Sequence, residues 1–171
     1  MEGKKTVTMK GNPLTLSGNP VKIGEPAPDF EVIANDLSEV KLSSFSGKTC
    51  LISSVPSLDT SVCDTETRKF NEEAGKLDDN VVVLTISMDL PFAQARWCGA
   101  AGVENLQTLS DYRNAEFGNA FGVLIQELRL LARAVFIVDS KGILRYIQIV
   151  DELTNEPDYA DALEALKGIT T

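Results

Sequence analysis

A chain of 171 residues, 43 % hydrophobic and 24 % charged, has the size and make-up of a single globular domain with an ordinary core. Acidic side chains (25) outnumber Lys and Arg (16), and the net charge of −9 disfavours nucleic acid and anionic membrane surfaces as partners. No apolar run has the length of a membrane span and Met1–Met9 does not resemble a secretory leader, so a cytoplasmic protein is expected.

Short strand pieces at Thr6–Met9 and Leu14–Leu16 flank Gly11-Asn12-Pro13, a turn signal. Residues 1–23 therefore read as an amino-terminal hairpin extension of one domain spanning 1–171. The loop Gly24-Glu25-Pro26-Ala27-Pro28 precedes two more short strands, Phe30–Ile33 and Val40–Leu42. Cys50–Val55 is an apolar strand. A helix follows from about Ser61 to Leu77, where Cys63, Thr67, Phe70, Ala74 and Leu77 recur at three- and four-residue spacing and place the Cys63 thiol on a core-facing stripe. The continuous run Val81–Ile86 predicts a central strand buried on both faces. Asp89 is expected to cap a helix with Pro91 in its first turn, running to Ala101 and stopping at Gly102. On it Phe92, Ala95 and Cys98 are expected to share a buried face. A helix over about Asn114–Phe121 leads to a hairpin, Val135–Asp139 and Ile143–Val150 around Ser140-Lys141-Gly142, and Pro157–Lys167 forms a last amphipathic helix. This order predicts an α/β, thioredoxin-like fold with a mixed central β-sheet flanked by helices.

The chain has no histidine, which removes Ser-His and Cys-His pairs and histidine-ligated haem or iron. Its cysteines, Cys50, Cys63 and Cys98, are odd in number and dispersed. That is a poor disulfide framework for a secreted protein and a poor zinc site. A catalytic or redox cysteine is what remains, with no metal or cofactor called for. Cys63 stands where the strand at 50–55 passes through Pro56-Ser57-Leu58-Asp59-Thr60 into a helix, and a thiol there meets unpaired backbone N–H groups and the positive end of the helix dipole. Thr60, three residues earlier, can bring a hydroxyl near the sulfur or cap the helix. Pro56 can wall a pocket without adding a backbone donor. Asp64 and Glu66 oppose a thiolate; Arg68 and Lys69 offset them in part, so a cation from elsewhere is required. Spacing alone leaves Cys63 open between nucleophile and small buried hydrophobe. Cys50, inside an apolar strand, reads as core, and Trp97 as packing.

Pro56-x-x-x-Thr60-x-x-Cys63 resembles the peroxiredoxin active-site signature. Together with Thr67-Arg68-Lys69-Phe70-Asn71, the run Asp89–Ala100, Leu109-Ser110-Asp111, Arg113–Phe117, Leu131–Asp139 and Glu156–Tyr159, it is similar over nearly the whole chain to the bacterial thiol peroxidases. The resemblance implies that Cys63 is the peroxidatic and Cys98 the resolving cysteine. It implies that Thr60 and Arg133 bind peroxide and stabilise the thiolate, and that Pro56 shields them. Arg133, otherwise readable as a hairpin-edge arginine, becomes the missing cation. Hydroperoxide substrates, organic ones preferred, thioredoxin as reductant and a homodimer are implied too.

A Cys63–Cys98 disulfide requires Cα atoms within about 7 Å. Because the two cysteines begin in different helices, local unwinding at the glycine-containing end Cys98-Gly99-Ala100-Ala101-Gly102 is expected to join them. Leu124, Ile125, Leu128, Leu130 and Leu131 are either core or an apolar rim beside Arg133, and Phe92, Trp97 and Phe117 either buried or interfacial. Two other classes compete. A thiol–disulfide oxidoreductase needs Cys-x-x-Cys, whose first position is Thr60 here, and a redox sensor would form the disulfide without peroxidase turnover.

Overall fold

The two apolar runs read as buried strands lie side by side at the centre of the chain. The computed structural model describes residues 5–170; the first part of Met1–Met9 and Thr171 lie outside the described residues. In chain order the elements are β1 (Thr6–Met9), β2 (Asn12–Ser17), β3 (Glu31–Ile33), β4 (Glu39–Lys41), β5 (Thr49–Ser54), α1 (Ser61–Ala74) and β6 (Val81–Ser87). They continue as α2 (Pro91–Ala101), β7 (Gln107–Ser110), α3 (Glu116–Ala120), β8 (Leu124–Ile125), β9 (Leu130–Leu131), β10 (Ala134–Val138), β11 (Leu144–Ile149) and α4 (Tyr159–Thr170).

A seven-stranded sheet has the order β11-β10-β5-β6-β7-β3-β4. β5 pairs in parallel with β6, and β6 with β7, because α1 and α2 supply the crossovers. β10 lies antiparallel on the other side of β5, Ala134 opposite Ser54 and Val138 opposite Cys50. The mixed sheet with flanking helices is the predicted thioredoxin-like architecture. β7 carries no long apolar run, and the sequence pattern does not predict its four residues.

Strand alternation divides the core in two. Cys50, Ile52, Leu84, Ile86, Phe136 and Val138 face one side; Leu51, Val83, Val135 and Ile137 face the other. The first face is closed by aromatic rings in edge contact, Phe30 on Phe117 at 5.1 Å and Phe121 on Phe136 at 5.0 Å between centroids. The second is covered by Phe70 of α1 and by Ala162 and Leu166 of α4. Cys50 is core, as read, and burial pushes its thiol up to about 11 against the pull of Lys48.

The amino-terminal hairpin forms as read, Val7 opposite Leu14, and pairs onward: β2 with β8, Leu16 opposite Ile125, and β8 with β9, giving a second sheet of order β1-β2-β8-β9. Leu124, Ile125 and Leu131 are therefore core residues and not a rim; Leu128 is exposed. The expected face of α2 needs correction. On α2 the inward residues are Pro91 and Gln94, with Cys98 half-buried, while Phe92 is 68 % exposed. Hydrogen bonding sets this face: the Gln94 amide donates to Ser87 Oγ at 2.9 Å and to the Leu109 carbonyl at 2.8 Å. A period count over apolar residues cannot register that. Phe117 is fully buried, not interfacial.

The end of β2 meets α3 at Gly18, whose φ is +97°, and a Cβ there would lie 2.3 Å from the Asn119 carbonyl oxygen. Gly18→Ala is expected to destabilise the fold by more than about 2 kcal/mol, read as a lower denaturation midpoint with an unchanged m-value.

Candidate active site

β5 ends against β6, where the Val55 amide donates to the Ile86 carbonyl at 3.0 Å, and the chain turns through buried Pro56 into α1. The turn is held from α2's approach. The Asp89 carboxylate accepts from Ser57 Oγ at 2.7 Å, Leu58 N at 2.8 Å and Ser87 Oγ at 2.7 Å, and the Ser110 hydroxyl donates to the Asp89 carbonyl. Asp89 is thus a clasp on the motif loop, not the cap of α2; the capping position falls to Leu90, followed by Pro91 at the first helical turn. The local spacing that suggests a cap cannot show Ser57, Leu58 and Ser87 converging on Asp89.

Thr60 occupies the N-cap position of α1 with extended backbone, but its hydroxyl does not cap the helix. It donates to the Ser57 carbonyl at 3.0 Å and the residue is exposed. Among the described residues no hydrogen bond joins it to the sulfur. Cys63, in the first turn, is 0 % exposed and packs with Val55, Leu58 and Trp97.

Arg133 is brought to it across the sheet. It precedes β10, whose Ala134 pairs with Ser54 at the end of β5, so a residue distant in sequence projects over the start of α1. Its side chain is 2 % exposed. Nη1 donates to Cys63 Sγ at 3.2 Å and to Glu66 Oε2 at 2.7 Å, while Nε and Nη2 donate to the Leu153 carbonyl at 3.2 and 2.7 Å. Burial works against this charge, but the Glu66 carboxylate and the Cys63 sulfur outweigh it and hold Arg133 above its ordinary value.

Glu66, read from sequence only as a charge opposing the thiolate, is 0 % exposed and is the arginine's partner. Its other oxygen accepts from Ser53 Oγ at 2.9 Å. Burial pushes this carboxyl up to about 7 against the pull of Arg133 and Ser53. A signal for it existed: Glu66 lies three residues after Cys63, on the same helical face, and a carboxylate on a buried stripe demands a cation. Asp64 turns to different partners, accepting from Arg68 Nε at 2.9 Å and Trp97 Nε1 at 2.8 Å. Arg68 thereby serves Asp64, and its guanidinium stands 5.7 Å from the Trp97 ring centre.

Cys98 is in different surroundings. Its Sγ lies 3.2 Å from Thr108 Oγ1 on β7, which donates on to Asn35 Oδ1 at 3.1 Å. Both thiols are free. α2 ends one turn later at Gly102 in the left-handed region, whose amide donates to the Cys98 carbonyl. Beside the thiol cluster, Leu58 and Trp97 also line a groove of about 750 Å³ with Leu90, Phe92 and Arg96. Among the described residues, no group of three or more Cys, Asp or Glu side chains is placed to hold a metal ion.

The family model described as Redoxin matches residues 22–163. A thiol peroxidase of Halalkalibacterium halodurans is 59 % identical over 163 residues, covering 95 % of this chain and 98 % of that protein. That of Bacillus subtilis is 56 % identical over 163 residues, covering 95 % and 97 %. Among solved structures, a peroxiredoxin-like protein from Aquifex aeolicus superposes with a TM-score of 0.92 at 42 % identity over 99 % of both chains. A thiol peroxidase from Chromobacterium violaceum shares the fold, with a TM-score of 0.85 at 22 % identity over 97 % of both.

A carboxyl raised in the folded state binds its proton more readily folded than unfolded. The stability contributed by Glu66 is therefore present below about 4.5 and lost as pH rises through about 7. Glu66→Gln should flatten this part of the profile, its stability relative to the parent improving by on the order of 2 kcal/mol between the two ends of that window, measured by denaturant titration at each pH.

Proposed function

The chain belongs to the Redoxin family, and on that premise we propose that it is a thiol peroxidase in which Cys63 attacks hydroperoxides and Cys98 resolves the product. The observation that carries this reading is the buried Arg133 guanidinium on the Cys63 sulfur. The guanidinium is placed to pair with the sulfur in its attacking, negative form, and the same group can stabilise negative charge developing on a departing oxygen.

In the cycle, the Cys63 thiolate attacks one peroxide oxygen and the O–O bond breaks. The second oxygen leaves and takes a proton, giving alcohol or water, and the sulfur becomes a sulfenic acid. The Cys98 thiolate then attacks that sulfur, hydroxide leaves as water, and a Cys63–Cys98 disulfide forms. A dithiol protein, thioredoxin, returns both cysteines to thiols. Thr60, released from the Ser57 carbonyl, turns its hydroxyl to the bound peroxide, and buried Pro56 keeps a competing backbone donor out. The sequence offers no Cys-x-x-Cys for dithiol exchange, since Thr60 holds that place.

Leu58 and Trp97 pack on Cys63 and also line the groove that carries exposed Leu90 and Phe92. An alkyl tail fits such walls better than water does, which supports organic hydroperoxides as preferred substrates over hydrogen peroxide. The same exposed side chains support a homodimer. No helix of the described residues is long and apolar enough to cross a membrane, and recycling by thioredoxin fits a cytoplasmic enzyme.

Resolution requires each thiol to leave its present partners. Gly99 lies inside α2, and a methyl group added there would meet no atom within 4 Å. Gly99→Ala is expected to stabilise the helix by about 0.5–1 kcal/mol and to slow disulfide formation roughly three- to fivefold, followed by rapid-quench thiol trapping. Cys63→Ser should abolish thioredoxin-coupled peroxide consumption; retained turnover would remove the assignment. In Cys98→Ser, a dimedone-type trap should label Cys63 persistently after a single peroxide dose, and absence of label would count against the resolving role.

A further inference from the structure

The two Arg133 donors that face away from the sulfur, Nε and Nη2, both depend on the Leu153 carbonyl. Leu153 lies in the connection between β11 and α4, outside any strand or helix. What fixes that connection is the amino-terminal hairpin. Thr8 N donates to the Asp151 carbonyl at 2.7 Å and Leu153 N to the Thr8 carbonyl at 2.8 Å, a parallel bridge centred on Glu152.

The Glu152 carboxylate closes this junction. Oε1 accepts from Thr8 Oγ1 at 2.9 Å and Gly11 N at 2.9 Å. Oε2 accepts from Lys10 N at 3.1 Å, Thr154 N at 3.0 Å and Thr154 Oγ1 at 2.7 Å. These donors, the Gly11 and Thr154 amides foremost, hold its carboxyl down at about 2, so it is ionised at any working pH.

We propose that Glu152 is a positioning residue for the peroxidase reaction: by clasping the β1–β2 turn to residues 151–154 it holds the Leu153 carbonyl, and through it the guanidinium that faces Cys63. The inference rests on the roles given above to Cys63 and Arg133. A long side chain keeps its aim only while its buried donors are satisfied. If the Leu153 carbonyl drifts, Nε and Nη2 follow it and Nη1 leaves the sulfur. The amino-terminal hairpin, otherwise an extension of the core, thereby becomes part of the support of the active site.

The direction of the effect separates this role from simple electrostatics. The groups bearing on the sulfur are Arg133 and Glu66, with Glu156 and Tyr159 acting on Glu66 and Arg133, and Asp64 taken up by Arg68 and Trp97. Removing a negative charge at position 152 would by itself favour thiolate and move its titration to lower pH. Losing the arginine's aim moves it to higher pH.

The test is the thiolate ultraviolet absorbance of Cys63 against pH in a Cys98→Ser background, where Cys50, at about 11, stays outside the window. Glu152→Gln keeps the shape but sets an amide NH₂ against N–H donors. The profile is expected to move up by about half to one pH unit. In the otherwise unaltered enzyme, kcat/KM for peroxide should fall roughly three- to tenfold at mildly acidic pH and recover as pH rises. Thr8→Val, which changes no charge and removes one donor to Glu152, should move both readouts the same way by less, and it decides the matter if Glu152→Gln does not fold. A profile unmoved, or moved to lower pH, overturns the proposal. If the parent enzyme consumed no peroxide while the profile still shifted, the peroxidase reading would fail and the positioning of Arg133 against Cys63 by Glu152 would stand.

Discussion

A guanidinium that is almost wholly out of water, held between a sulfur and a carboxylate, is the constraint on which the rest of this molecule depends. Burying such a charge alone is prohibitive, and even a paired buried charge is tolerated only when its remaining donors are met. Arg133 meets that demand with Glu66 on one edge and the Leu153 carbonyl on the other. Glu66 in turn needs Ser53. The arrangement works as a unit: each member is costly without the others, and together they set one cation against the sulfur of Cys63.

The sheet makes this geometry possible. β5 delivers the chain to the start of α1, and β10, antiparallel beside it, delivers Arg133 to the same end. The two faces of the sheet are closed independently, by aromatic rings on one side and by α1 and α4 on the other, so the edge carrying the site does not have to supply the main core. The loop from Pro56 to Thr60 is instead tied by polar contacts, with Asp89 gathering Ser57, Leu58 and Ser87. Hydrogen-bonded loops open at lower cost than packed elements, which suits the proposed cycle, in which one thiol meets first a peroxide and then a second thiol. Trp97 and Asp64, each next in sequence to one of the two cysteines, are joined to each other by a hydrogen bond between α2 and α1.

Much of this was legible in the chain. The apolar runs at 50–55 and 81–86, the three- and four-residue spacing through Cys63 and Phe70, and the turn signals of both hairpins mark elements whose existence depends on local pattern. The motif loop and its place before a helix were equally plain. Elements with weak local signals were not: β7 is short and without a long apolar run, and β8 and β9 exist because β2 offers them an edge. Apolar spacing does not locate the inward face of α2, because a glutamine amide, not a hydrophobic side chain, decides which way that helix turns.

By itself the sequence determined an α/β fold, a cysteine at a helix start, and the need for a cation from elsewhere if that thiol is to ionise, because strand and helix periodicity and the absence of histidine are properties of the chain. Only the tertiary structure decided how that need is met: Arg133 against Cys63, Glu66 and Leu153 holding the arginine, and Glu152 joining the hairpin to that support. Those contacts cross long sequence separations between strands and loops, and no local pattern records a distance between side chains that only the folded sheet brings together.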